Sequence, residues 1–142
     1  MSPQILKVGD MWKPILVALT LAVTSQSMAS EPVRPLNSDF FIPNGELEAL
    51  EQKALSGGPQ AALRLEMYYA VWAHDSQGEF RWASIGAENG NAASEFDFSL
   101  LLWRKKTDAD KIRAMYWMTK AADAGKPDAP AVLAHMQKGE EF

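Results

Sequence analysis

The chain has 142 residues, no cysteine, 14 Lys+Arg against 18 Asp+Glu, and 47% apolar residues. That is one domain's worth of chain, apolar enough to bury a core. The missing cysteine excludes disulfides, thiolate metal sites, a cysteine nucleophile and a lipid-modified cysteine, and the net charge of −4 argues against nucleic acid as a partner.

Residues 15–23, Ile-Leu-Val-Ala-Leu-Thr-Leu-Ala-Val, follow Lys7 and Lys13 and precede a small, polar stretch to Ser30. This order predicts a secretory signal peptide over residues 1–29, with Ser27 and Ala29 giving the small-x-small pattern for cleavage after Ala29. Met1 and Met11 both remain possible starts. A membrane span needs about 20 apolar residues, so the run predicts export rather than anchoring. The expected location is the periplasm, or outside the cell, with no membrane insertion after cleavage. Removal of the segment leaves 12 basic and 17 acidic residues, a net −5.

Pro32, Pro35 and Pro43 predict an extended lead-in over residues 30–45. Within it, Phe40-Phe41-Ile42 is expected to fold back over one end of the domain or to offer a strand to a partner. Helices are predicted next. The first runs over Glu46–Leu55, capped by Asn44 and stopped by Gly57-Gly58. Pro59 opens the second, which reaches about His74. Ser76-Gln77-Gly78-Glu79 has capping-box spacing and starts a third, ended by Gly90. A fourth covers Ala92–Trp103, a fifth opens at the polar turn 107–110 and ends before Gly125, and a short sixth runs from Pro127 to about Lys138.

These elements repeat. Asp75, Phe80, Trp82, Ala87, Glu88 and Gly90 return 35 residues later as Asp110, Met115, Trp117, Ala122, Asp123 and Gly125. Gly57, Ala61 and Leu65 match Gly90, Ser94 and Phe98 at a spacing of 33, and Ser94 and Phe98 match Ala129 and Leu133. A period in the mid-thirties, made of two helices and a glycine break, predicts an all-α solenoid.

The stretch Trp117-Met118-Thr119-Lys120-Ala121-Ala122-Asp123-Ala124-Gly125 resembles the second-helix signature of Sel-1-like repeats, a tetratricopeptide-like family. Asp110 and Arg113-Ala114 fit the residues before it, and Asp75, Trp82, Ala87, Glu88 and Gly90 keep the same register. Ala61, Leu65 and Tyr69 resemble the first-helix signature, with Glu66 where the family has glycine. The resemblance implies a short α-solenoid of stacked antiparallel helix pairs over residues 46–142. The family's Gly-x-Gly-Val loop is absent at 70–76 and 104–109, and the last unit is half a repeat that would serve as a cap.

In that frame Trp82 and Trp117 are packing residues, and Gly57, Gly90 and Gly125 are left-handed helix stops. Trp72 and Trp103 are not demanded by the repeat. Trp103 precedes Arg104-Lys105-Lys106, the only dense basic cluster, so Trp72, Trp103, Arg104, Lys105 and Lys106 form a candidate partner-binding set. The competing reading is a solvated loop with Trp103 tucked beneath it. His74-Asp75 suggests catalysis, but Asp75 falls at a helix start, and His135 is too distant in sequence for a metal pair. Glu140-Glu141 is expected to be solvated. No catalytic residues, cofactor or metal are expected.

The resulting expectation is a periplasmic binder of one protein partner. A specific version, implied by similarity to small exported Sel-1-like proteins, is an immunity protein that inhibits a secreted type VI effector such as a lipase. An envelope regulator or assembly adaptor is the alternative, and a hydrolase a more remote one.

Overall fold

The computed structural model describes residues 35–140, so the expected signal segment lies outside the described residues. Six α-helices follow one another: α1 (Asn44–Leu55), α2 (Pro59–Met67), α3 (Ser76–Glu88), α4 (Ala92–Trp103), α5 (Asp108–Asp123) and α6 (Ala129–Gln137). Each helix packs on the next along the chain, and no strand occurs among the described residues.

Three of the turns share one construction. Gly57, Gly90 and Gly125 have φ of 94°, 81° and 83°. In each turn, the N–H after the glycine returns to a carbonyl five residues back: Gly58 to Lys53 at 3.0 Å, Asn91 to Gly86 and Lys126 to Ala121 at 2.9 Å. This double closure consumes the last orphan carbonyls of the helix and requires a left-handed residue, which glycine supplies without a Cβ clash. Side chains tie the first two turns together. Asn89 donates to the Ala54 carbonyl at 2.8 Å, and Asn91 donates to the Pro59 carbonyl at 3.4 Å.

The helix starts correct two expectations. Asn44 does not cap α1; Pro43 holds that position, and its carbonyl accepts from the Glu46 N–H. Nor does Ser76 cap α3. Asp75 does, accepting from the Gln77 N–H at 3.0 Å, because its carboxylate sits one residue earlier in extended backbone. Thr107 caps α5, accepting from the Asp110 N–H while its hydroxyl donates to the Asp110 carboxylate at 2.6 Å.

The second helix also ends earlier than expected. After Met67 the chain widens into a single π turn over Tyr68–Trp72, and His74 then closes it at φ 51°. Lys106 does the same after α4 at φ 63°. These loops have no glycine, and two ordinary residues take up the left-handed turn.

The buried side chains fall into two clusters. The first gathers Ile42, Ala54, Ala61, Ala62, Leu65 and Trp82; the second gathers Ala83, Ala87, Phe98, Leu102, Trp103, Ala114, Met118, Ala121, Ala129 and Met136. Ile42 is therefore the residue that folds back, whereas Phe41 stays 43% exposed. The lead-in is not uniformly extended, since Ser38–Phe40 forms a 3₁₀ turn. Equivalent positions share a fate in part: Ala61, Ser94 and Ala129 are all buried, and Leu65 and Phe98 are buried while their match Leu133 is only half-buried. Trp82 is 1% exposed, but Trp117 is only half-buried, edge-on to Phe98.

Candidate functional site

The structure separates the five candidate partner-binding residues. Trp103 belongs to the second core cluster, 7% exposed, with the Lys111 ammonium 5.3 Å from its ring centroid. Its place on α4 turns the indole inward, which corrects the expectation of a surface anchor and matches the tucked reading. Arg104, Lys105 and Lys106 are exposed, and Lys105 lays its ammonium 3.8 Å from the centre of the Phe80 ring. This contact covers a core aromatic while leaving the charge at the surface.

Trp72 is 40% exposed and pairs with Phe41, ring centroids 4.9 Å apart, and Leu36 nearby in sequence is almost fully exposed. The π turn aims this indole outward. Sequence pattern gave no sign of the Phe41 partnership, because it spans 31 residues between the lead-in and the end of α2.

Between these two regions lies a cleft of about 220 Å³, bordered by Glu66, Met67, Ala70, Glu79, Asp97, Leu100, Leu101 and Arg104. Ala70 belongs to the π turn and Arg104 to the basic cluster, so both regions reach its rim. Glu66 forms its floor and is only 2% exposed. The Ser94 hydroxyl donates to Glu66 Oε2 at 2.6 Å. Burial pushes the Glu66 carboxyl up to about 8, opposed by the Ser94 hydrogen bond and reinforced by Asp97 and Glu79. Burial also raises the half-buried Asp97, which shares a hydrogen bond with Glu66 and feels the Lys126 charge. One further acid, Glu95, is 3% exposed, its Oε2 has no hydrogen-bond partner, and burial raises its carboxyl against the pull of Lys120.

The position of Glu66 was visible in the sequence as a departure from the family glycine. Its partners were not, because Ser94 and Asp97 lie 28 and 31 residues away on α4. A second groove of about 400 Å³ runs along the glycine turns, bordered by Pro59, Gly90, Asn91, Gly125 and Lys126 among others.

His74 is exposed and serves the turn, and Asp75 is spent on its cap. Glu140 is exposed, as expected, and its carboxylate contacts His135 Nδ1 just past α6, while Glu141 lies outside the described residues. Among the described residues no group of three or more His, Cys, Asp or Glu side chains could hold a metal ion, and no helix is long and apolar enough to cross a membrane.

No family model matches the chain, and no solved structure matches it. It is similar to the uncharacterized protein YibG of Escherichia coli (strain K12), 27% identical over 103 residues that cover 70% of this chain and 67% of that protein.

Proposed function

We propose that this chain is an exported, Sel-1-like helical-repeat module that binds one protein partner in the periplasm, with no catalysis and no cofactor of its own. The observation that carries this reading is the recurrence of one turn geometry at Gly57, Gly90 and Gly125, with the residue four positions after each, Ala61, Ser94 and Ala129, buried. Stacked helix pairs of this kind offer a preformed surface, so binding costs little ordering. The side chains best placed for contact are Trp72 with Phe41, and separately the exposed Arg104, Lys105 and Lys106, of which Arg104 borders the cleft. An exposed aromatic supplies affinity, and rim cations govern encounter and salt dependence. A type VI effector such as a lipase is the partner this reading favours.

Expression of the full chain with a C-terminal tag tests both halves. The processed protein should be recovered from the periplasmic fraction, and retention in the cytoplasm would refute export. A stoichiometric partner should co-elute and bind at least tenfold more weakly to Trp72→Ala, or to a variant with Arg104, Lys105 and Lys106 made Gln. Full affinity in both variants, with unchanged melting temperatures, would reject this surface. Addition of the purified chain to the partner's own activity assay separates an inhibitor, which silences it, from an adaptor, which does not.

A further inference from the structure

The carboxyl pair at the α2–α4 seam is used by neither the repeat packing nor the proposed surface. Glu66 on α2 is almost fully buried, yet its recorded partners are a single hydroxyl, Ser94, and another acid, Asp97, both on α4. The groups around it are predominantly acidic. From α3 comes Glu79; Arg104, just past α4, borders the same cleft; and Lys126, beyond α5, acts on Asp97. From α1, Glu51 is engaged by the Tyr69 hydroxyl at 3.4 Å. Two carboxyls that share a hydrogen bond in a buried site need one proton between them, since like charges at this range cannot both ionise cheaply.

We infer that the Glu66–Asp97 pair is a proton-operated latch: it fastens α2 to α4 while one proton is shared and loosens the seam when both acids ionise. The sign follows from burial. Both carboxyls are raised above their ordinary values, so the folded state holds more protons than the unfolded chain. Stability is then complete at and below about pH 4.5 and declines as pH rises towards about 8, the opposite of acid denaturation by paired carboxylates. The loosened seam would open the floor of the cleft where the two candidate contact regions meet.

Thermal melts of the full chain from pH 5.5 to 9 test this. The native protein should lose at least ~5 °C over that range, as a change of about 1 kcal/mol moves a domain of this size by several degrees. Glu66→Gln, which keeps the shape and can still hydrogen-bond Ser94 and Asp97, should remove most of the slope and melt higher than the native protein at pH 9. Asp97→Asn, at the half-buried member, removes the like charge but not the burial of Glu66, so it should lessen the slope without abolishing it, and it serves as the second test should the Glu66 change disturb folding. The slope is read as the difference between the native chain and each variant at matched pH. Amide-exchange protection of α2 and α4, corrected for intrinsic rates, should fall with pH in the native chain, fall less in Asp97→Asn and stay level in Glu66→Gln. A native melting temperature that is flat with pH, or a slope that survives in both variants, would overturn the latch.

Discussion

The helix pairs α2–α3 and α4–α5 occupy equivalent stretches of the sequence and build their interiors differently. In the first pair the residue after Leu65 is Glu66, which needs help from Ser94 and Asp97 on another helix. In the second pair the residue after Phe98 is Ser99, fully buried, and its hydroxyl donates to the Ala114 carbonyl at 2.7 Å. Matching positions thus carry an ionisable group in one helix pair and a neutral hydroxyl, bonded to a carbonyl of α5, in the other. The tryptophans differ in parallel, Trp82 being enclosed and Trp117 half-buried. Matching sequence positions thus sit in surroundings that differ in how dry and how charged they are.

The largest effect should come from the tryptophans. Trp82→Ala empties a fully buried site and should cost about 3–5 kcal/mol, enough to lower the melting temperature by more than 10 °C. Trp117→Ala removes a ring that water already reaches and should cost roughly half as much or less. Urea unfolding of both variants checks the order, and equal losses would remove the distinction between the two interiors.

The polar position sharpens the contrast further. Ser99→Ala should cost only about 0.5–1.5 kcal/mol, with the same loss at pH 5.5 and pH 9, since no charge is involved. Its pH-independent loss sets the baseline against which the Glu66 variant is read. A Ser99 variant whose penalty changed with pH would show that the titrating group lies elsewhere in the core.

Much of this was legible in the residues. Helix order, the three glycine turns and the burial of Trp82 follow from local rules, because apolar spacing and left-handed stops act over only a few positions. The failures were of two kinds. Asn44 and Ser76 were plausible caps, but Pro43 and Asp75 stood one residue nearer the extended backbone that a cap requires. Other readings stopped where contact is long-range. Two places for Trp103 were open in the sequence, an interface anchor and a ring tucked under a solvated loop, and it points into the core formed with α5 and α6. The Glu66–Ser94–Asp97 cluster and the Phe41–Trp72 pair each join segments about 30 residues apart, which periodicity alone does not connect. Gly86 carried no reading in the sequence, yet a Cβ there would lie 2.3 Å from Ser94 Oγ, so its glycine lets α3 approach α4 at that point.

The smallest expected effect separates the two kinds of helix ending. The glycine turns pay no steric penalty for φ near 80–95°, whereas His74 and Lys106 hold φ of 51° and 63° with a Cβ in place. A left-handed residue with a side chain costs roughly 1–2 kcal/mol, and a glycine there gives back about 0.5–1 kcal/mol in unfolded-chain entropy. His74→Gly and Lys106→Gly should therefore each stabilise the chain by about 0.5 kcal/mol, and together they should add, because the loops follow different helices. Gly90→Ala should destabilise by a comparable or larger amount for the same reason read in reverse. Urea midpoints for the four variants decide the matter. If either loop glycine lowered the midpoint, the side chain it replaced would be contributing contacts worth more than the strain, and that loop would be held by its side chain rather than merely tolerated.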